Sequence, residues 1–343
     1  MSEDRLLYSA AGEYVPAATD ELRALIPDAV FAWIGPDLGT IAAEGLAIAD
    51  LASACRDEGT IFVRHLMRAV GALPAHEATD LERVVNHALS IWTALPLRPH
   101  VALQVWSSGG EGYPFRTDEL WHALADGLRS DGIDIARAGR EQIAGVVLTD
   151  GEVVLGLNSR DNGLSDWPGG RVRLAKPKGQ IARSEFKLEE LFREHAPTGF
   201  PDGGLAIDLG ASPGGWTRIL RQRGFSVWAV DPAAMDDRIA HDPDVHHVRT
   251  TANPFLATTD LVADLVVNDM RMDPGLSSAL MVEAARRVRP GGMMIQTLKV
   301  TPHQALRVVR HALANLAPAW DVVLARQLHH NRNEVTVVGR KRA

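Results

Sequence analysis

The feature that most limits the fold of this chain is a unit repeated through its second half. A short apolar run ends in a polar or charged residue, and a helical pattern follows. Strands of this kind are predicted at Leu205–Leu209, Ser226–Val230, Leu265–Asn268 and Met293–Leu298. Helices are predicted over Gly214–Arg223 and Ser277–Val288, and in a last segment reaching about Leu316. Continuous apolar strands alternating with helices predict a buried, mostly parallel sheet with helices on both faces. In such sheets ligands sit at the carboxyl ends of the strands, which is where Asp231, Asp269 and Lys299 fall. Two final strands, Asp321–Leu328 and Glu334–Gly339, are close enough in sequence to form an antiparallel hairpin.

The first half has a different rhythm. Strands are predicted at Leu6–Ala10, Ala29–Ile34 and Ile41–Ala43, with a helix over about Ala17–Leu25, which makes a small α+β unit. Residues 60–96 read as mostly helical, ending before Pro96. A strand at Val101–Trp106 and a helix from about Thr117 to Arg129 follow, with Thr117 as the N-cap. Ala144–Leu148 and Val153–Leu157, joined by Thr149-Asp150-Gly151-Glu152, read as a hairpin. Trp92, Trp106 and Trp121 are assigned to the core. The Asn, Gly, Pro and Ser of residues 158–180 mark the main boundary. The expected division is 1–70, 71–165, a linker over 166–180, and 181–343.

Charge divides the same way. Residues 1–150 hold 11 Arg, no Lys and 22 acidic residues, whereas residues 151–343 hold 25 basic and 21 acidic. The basic side chains of the second half gather at Arg171, Arg173, Lys176, Lys178, Arg183 and Lys187, as a polyphosphate partner requires, or as a solvated loop allows. Only five lysines stand against 31 arginines, so each lysine raises the question of what Arg would not do there; Lys can lose its proton. A single cysteine, Cys55, excludes a disulfide framework and a Cys-cluster zinc site. With no apolar run of 18 residues and no signal-like start, the expected location is the cytoplasm.

The densest motif is Asp208-Leu-Gly-Ala-Ser-Pro-Gly-Gly-Trp216, between a strand and a helix. Its glycines let the backbone approach a ligand, and the helix start offers N–H groups. The spacing is neither GxGxxG nor a Walker loop. Asp231, about 20 residues on, stands where doubly wound folds place an acid on a ribose diol. Each feature also has a plain structural reading, as a tight turn and as a turn residue or cap. Arg289-Pro-Gly-Gly292 reads as a helix stop and a turn into the next strand. His329 and His330 have no companion ligands at metal spacing, so they are read as structural or RNA-contacting.

Together, Asp208–Trp216, Asp231, Asn268-Asp269-Met270 and the Pro-Gly-Gly turn resemble S-adenosylmethionine-dependent methyltransferases. Four pieces narrow the resemblance to the FtsJ-like RNA ribose 2′-O-methyltransferases, whose signature is a Lys-Asp-Lys-Glu tetrad. They are Lys187 in Arg-Ser-Glu-Phe-Lys-Leu-Glu-Glu, Asp269, Lys299 in Thr-Leu-Lys-Val, and Glu334 in Arg-Asn-Glu-Val-Thr-Val. Ala325–Val337, and the run from Asn158 through Pro168-Gly169-Gly170 to Lys187, are similar to the branch that methylates a cytidine of bacterial large-subunit rRNA. The resemblance spans about 150–343.

It implies a Rossmann-like α/β methyltransferase domain preceded by ferredoxin-like and THUMP-like α+β regions that bind RNA. It also implies S-adenosylmethionine as cofactor and RNA as partner, without metal, DNA or membrane. The implied catalytic residues are Lys187, Asp269, Lys299 and Glu334, with Lys299 as general base. The implied cofactor residues are Ser184, Asp208, Gly210, Ser212, Pro213, Gly214, Gly215, Trp216, Asp231, Thr251 and Asp269; Thr251 stands where the family commonly has an acid near the adenine. Arg171, Arg173, Lys176, Lys178, Arg183 and Arg332 are the expected RNA contacts. The same chemistry on tRNA or another RNA, and a catalytically silent binder of cofactor or RNA, are the competing readings.

Overall fold

Strand β1 (Leu6–Ser9) is buried along its whole length, and the first half of the chain is built outward from it. Helix α1 (Val15–Leu25) leads to the hairpin of β2 (Val30–Gly35) and β3 (Leu38–Ala42), then α2 (Ile48–Asp57). Strand β4 (His65–Pro74) follows, then α3 (Leu81–Trp92), β5 (His100–Ser108), α4 (Thr117–Ser130), β6 (Asp134–Ala136), β7 (Gln142–Thr149) and β8 (Glu152–Ser159). All eight strands join one sheet in the order β2-β3-β1-β4-β8-β7-β5-β6. The computed structural model describes residues 5–342. The described residues form two compact units, divided between Val172 and Arg173.

One expectation for this half is overturned. Residues 65–74 are a strand, and the helix expected across 60–96 is confined to Leu81–Trp92. Leu, Met, Arg and Ala in β4 favour helix, but the segment is held as a strand from both sides. Residues 65–68 pair with β1 and residues 69–74 with β8, across a register shift at Ala69–Gly71. Pairing and burial outweigh local preference here. The expected boundary at residue 70 therefore lies within one strand. A smaller difference is that Arg116, not Thr117, occupies the N-cap position of α4, with Glu119 accepting from the Arg116 N–H at 2.8 Å. Trp92, Trp106 and Trp121 are buried, and the Trp121 indole donates to the Leu103 carbonyl at 2.8 Å.

The second unit opens with α5 (Glu185–Glu194) and then alternates: β9 (Gly204–Leu209), α6 (Gly215–Gln222), β10 (Phe225–Val230), α7 (Asp237–Ala240), β11 (Val245–Val248), α8 (Ala252–Thr258), β12 (Ala263–Asn268), α9 (Pro274–Ala284), β13 (Val288–Lys299), α10 (Ala305–Leu316), β14 (Trp320–Arg326) and β15 (Glu334–Lys341). The sheet runs β11-β10-β9-β12-β13-β15-β14. The first five strands are parallel, and β15 and β14 complete the edge antiparallel, as the repeat and the terminal hairpin predict. Leu188 and Leu191 of α5 and Trp216, Ile219 and Leu220 of α6 pack on Val227, Leu265, Val267 and Ile295 of the sheet. The Pro-Gly-Gly sequence is not a turn before a strand: Arg289–Gly292 lies inside β13, where Gly291 takes φ +72° and the register against β12 shifts. A bulge absorbs it.

Candidate active site

The order of the second sheet reverses beside β9. The chain runs from β9 to β10 and β11 on one side, then returns to β12 and β13 on the other. The crevice at the carboxyl ends of β9 and β12 is therefore the topological switch point, where open α/β sheets receive ligands. The loop after β9 fills one side of it. Gly210 takes φ +76°, and a Cβ there would lie 2.1 Å from Cγ of Met270, beyond the end of β12. Gly214 takes φ +109°, and its Cβ would lie 2.7 Å from Ile239 and 2.9 Å from Met235. At Gly215 the obstacle is the Ala182 Cβ, at 2.9 Å. The glycines thus let three other segments close on the loop, and each is required by a protein neighbour.

Asp231 follows β10 and ties to the same loop. The Ser212 N–H donates to Oδ2 at 3.2 Å and the Ala233 N–H to Oδ1 at 2.8 Å, while the Ser212 hydroxyl donates to the Ala234 carbonyl at 2.8 Å. The Ser212–Pro213 peptide bond is cis, and the Pro213 carbonyl accepts from the Asp236 N–H at 2.9 Å. Each Asp231 oxygen takes one N–H and keeps acceptor capacity, which fits a vicinal diol. Asp208 lies deeper. Its carboxylate accepts from the Thr217 hydroxyl at 2.7 Å, and burial pushes its pKa up to about 7; Thr217 opposes this, while Asp269 and Asp231 reinforce it. It supports the loop from below. Ser184 sits at the start of α5, where its carbonyl accepts from the Trp216 indole at 3.0 Å. That indole is buried in the core, so Trp216 pins α5 to the loop and offers no face to a ligand. Thr251, at the N-cap position of α8, is exposed and makes no capping bond.

The four residues drawn from separate sequence motifs meet at this edge. Lys187 comes from the first turn of α5, Asp269 follows β12, Lys299 ends β13, and Glu334 opens β15 directly opposite Lys299 in the antiparallel register. The Lys187 ammonium donates to both Asp269 oxygens, at 2.8 and 3.0 Å, and pairs with Glu334 Oε2. The Lys299 ammonium donates to Asp269 Oδ1 at 3.0 Å, Glu334 Oε1 at 2.8 Å and the Thr297 hydroxyl at 2.8 Å. Thr297 in turn donates to Asp269 Oδ1 at 2.6 Å. Burial opposes the charge on Lys187, but Asp269 and Glu334 outweigh it and hold its pKa above the ordinary lysine value. Two cations and two anions close a neutral square, each side chain about one-tenth to one-fifth exposed.

Two further buried glutamates that the sequence reading passed over anchor helix α5, which carries Lys187. Glu185, fully buried, accepts from the Ile181 and Ala182 N–H groups at 2.6 and 2.9 Å and pairs with Arg218 at 2.7 Å. Glu190 accepts from the His329 and His330 N–H groups at 2.7 and 2.8 Å and from His330 Nδ1 at 2.6 Å. Burial opposes the Glu190 charge, but these donors prevail and hold its pKa below the ordinary glutamate value. Glu190 thereby docks the turn before Glu334 onto the helix that carries Lys187, and His330 stacks on Phe186 with ring centroids 5.0 Å apart. The one mark in the sequence was spacing: Glu190 lies three residues from Lys187, on the same face of the helix.

The expected RNA contacts separate. Arg171 lies in the first unit, where its guanidinium is committed to the Asp37 carboxylate and, at 2.8 Å, to the Ser107 carbonyl, so it is a structural cation. Arg173, Lys176, Lys178, Arg183 and Arg332 are exposed. Among the described residues no group of three or more His, Cys, Asp or Glu is arranged to hold a metal ion, and no helix is long and apolar enough to cross a membrane.

Residues 180–322 match the model of the FtsJ-like methyltransferase family. A protein named Ribosomal RNA large subunit methyltransferase M from Halorhodospira halophila is 37% identical over 183 residues, covering 52% of this chain and 52% of that protein. Its namesake from Azotobacter vinelandii is 34% identical over 196 residues, covering 54% of each. The chain thus spans about half the length of these curated relatives. Among solved structures, TrmN from Thermus thermophilus aligns with 98% of this chain and 99% of that one, at 16% identity and a TM-score of 0.42.

Proposed function

We propose that this chain is an S-adenosylmethionine-dependent RNA ribose 2′-O-methyltransferase, and that its substrate is a cytidine of large-subunit rRNA. The observation that carries the reading is the closed Lys187–Asp269–Lys299–Glu334 square at the switch point of an FtsJ-like domain. The choice of rRNA follows the names of the relatives. The choice of a cytidine follows the sequence resemblance.

The cofactor, when bound, supplies an electrophilic methyl group. The Gly210–Gly215 loop and the Asp231 carboxylate would hold its nucleoside end, and Asp269 would face its methionine end. A ribose hydroxyl is a very weak acid, so the chain must take its proton as the new O–C bond forms. Lys299 is the base. As an ammonium it has no lone pair to accept a proton, and its three N–H donors are spent on Asp269, Glu334 and Thr297. The active form is the neutral amine, with one of those three directions turned to the hydroxyl. With Lys299 neutral and Lys187 still a cation, the square carries one net negative charge. Uptake of the hydroxyl proton returns it to neutrality. Lys187, held protonated by the same two carboxylates, keeps them from adding a second uncompensated charge. Asp269 and Glu334 fix both amines, and such alignment supplies a large share of the acceleration in displacement reactions.

The test is methyl transfer from labelled cofactor to total RNA from cells that lack this protein, with wild type and Lys299→Ala side by side. Label in a 2′-O-methylated cytidine of large-subunit rRNA, lost in the variant while cofactor affinity persists, supports the reading. Label in a methylated base or in protein overturns the chemistry. Label in another RNA species retains the chemistry and overturns the substrate.

A further inference from the structure

We propose that a cavity between the start of α9 and the first two turns of α10 binds a nucleotide that neighbours the acceptor ribose in the RNA strand. This rests on the methyl-transfer reading above. The cavity measures about 410 Å³ and is lined by Asp273, Pro274, Gly275, Arg307, Val308 and His311. Its two walls descend from the strands that carry the square: α9 follows β12 and Asp269, and α10 follows β13 and Lys299. Both helices therefore start at the edge of the sheet where the hydroxyl must lie. A strand threaded over that edge meets this cavity beside the acceptor.

The lining is that of a nucleotide site rather than a bare anion site. Arg307 and His311 are four residues apart on one face of α10, about 6 Å along the helix axis, and both are exposed. They can meet a phosphate, and Arg307 can stack on a base. Asp273 spends Oδ1 on the Gly275 and Leu276 N–H groups, at 2.8 and 3.2 Å, and keeps further acceptor capacity for donors on a base edge. A carboxylate in the wall disfavours inorganic phosphate alone. Pro274 and Val308 give the apolar surface that a base covers.

Two further observations point the same way. Gln304 takes φ +60° at the N-cap position of α10, an unfavourable conformation for a residue with a side chain. In that position its carboxamide oxygen accepts from the Arg307 guanidinium, which fixes the cation at the cavity mouth. In addition, no Asp or Glu occurs from Lys299 to Trp320, in a chain with 43 acidic residues, while Lys299, His303, Arg307, Arg310 and His311 all fall there. This stretch is kept free of the charge that would repel a phosphodiester backbone.

The experiment measures steady-state transfer by the full chain on a defined rRNA transcript, with separate measurement of cofactor binding. Arg307→Ala and His311→Ala are compared with Arg286→Ala, an exposed arginine outside the cavity whose partner is Glu283. The expected result is a KM for RNA raised about tenfold by either cavity variant, in the range that loss of one stacked base or charged contact gives. The kcat, the cofactor affinity and the melting temperature should stay near wild type. An abasic nucleotide beside the acceptor should raise KM for wild type and add little to Arg307→Ala. Unchanged KM in both cavity variants, an equal rise in Arg286→Ala, or an abasic penalty undiminished in Arg307→Ala would each overturn the subsite while leaving the catalytic reading intact. Absence of transfer to any RNA by wild type would remove both.

Discussion

Both units bury glutamates in the same way, yet only one gathers catalytic-type chemistry around them. In the first unit Glu21 accepts from the Ile61 and Phe62 N–H groups at 2.7 and 2.8 Å, fixing the chain just before β4. In the second, Glu190 accepts from the consecutive N–H groups of His329 and His330. A buried carboxylate satisfied by backbone donors is thus a general way to pin a loop. What separates the units is what the pinned loop carries. Near Glu21 it leads into Arg64 and the buried His65. Near Glu190 it leads to Glu334, which faces two lysines and an aspartate at the ends of three other elements. A group of mutually paired, partly exposed charges from distant parts of the sequence marks a site more sharply than any single buried acid.

The largest expected effect would break that contrast directly. Lys299→Ala removes the proposed base and should lower kcat by about 10²- to 10⁴-fold, the usual span for a positioned acid or base. Cofactor affinity should change little, and transfer at saturating cofactor checks both. If activity persists, the square is a structural feature like Glu21. Next in size is Asp208. Its pKa is about 7 in the folded chain against an ordinary 3.8, so the folded state holds a proton between those values and the unfolded chain does not. Its contribution is therefore full below about pH 4 and is lost as pH rises through about 7. By linkage the loss reaches at most about 4 kcal/mol. Asp208→Asn, whose carboxamide still accepts from Thr217, should be more stable than wild type at pH 8 and close to it at pH 4. Chemical denaturation at the two pH values measures this.

The second half was legible because its strands are buried on both faces and stop at polar residues, so a period and its punctuation both show in the sequence. Lys187, Asp269, Lys299 and Glu334 were found because each sits in a local motif at a strand end or a helix start. Glu185 and Glu190 were missed because most of their partners are backbone N–H groups, which leave no mark in a sequence, and their side-chain partners, Arg218 and His330, lie 33 and 140 positions away. The strand β4 was missed for a related reason: Ala and Leu carry no β signal, and its pairing partners lie 60 residues before and 80 residues after it. Arg171 looked like part of a basic strip because its partner, Asp37, lies 134 positions away.

His65 offers the counterpart of Asp208 in the other unit. It is buried against the edge of Trp106, and burial lowers its pKa to about 4 from 6.5; backbone hydrogen bonding by Ser165 and Gly163 resists this only in part. Between those values the unfolded chain binds the proton and the folded chain does not. Stability should therefore fall as pH drops from 6.5 to 4, by at most about 3 kcal/mol from this residue. Hydrogen exchange read separately on β4 and β5 and on β9 and β12 sharpens the comparison. Acidification over this window should open the first pair. The Asp208 contribution acts in the opposite direction on the second. His65→Gln should remove most of the first response, and an unchanged response would mean that another group governs it.

The smallest of these effects concerns the Glu190 clamp. Replacing its carboxylate with an amide keeps the shape but turns one acceptor atom into a donor, so one backbone N–H of the His329–His330 turn loses its partner. An unsatisfied buried N–H costs about 1–3 kcal/mol, which the loop can relieve by shifting. A shift there moves Glu334 relative to Lys187 and Lys299. For Glu190→Gln, kcat should drop about tenfold, with cofactor affinity and RNA KM near wild type, because small misplacements of a reacting array carry penalties of this order. Glu21→Gln in the first unit should cost similar stability and leave kcat of the folded enzyme unchanged. Equal loss of kcat in both variants would show that the two glutamates act only through global stability. Loss in Glu190→Gln alone would show that the same device was placed at the second sheet to hold the geometry of the square.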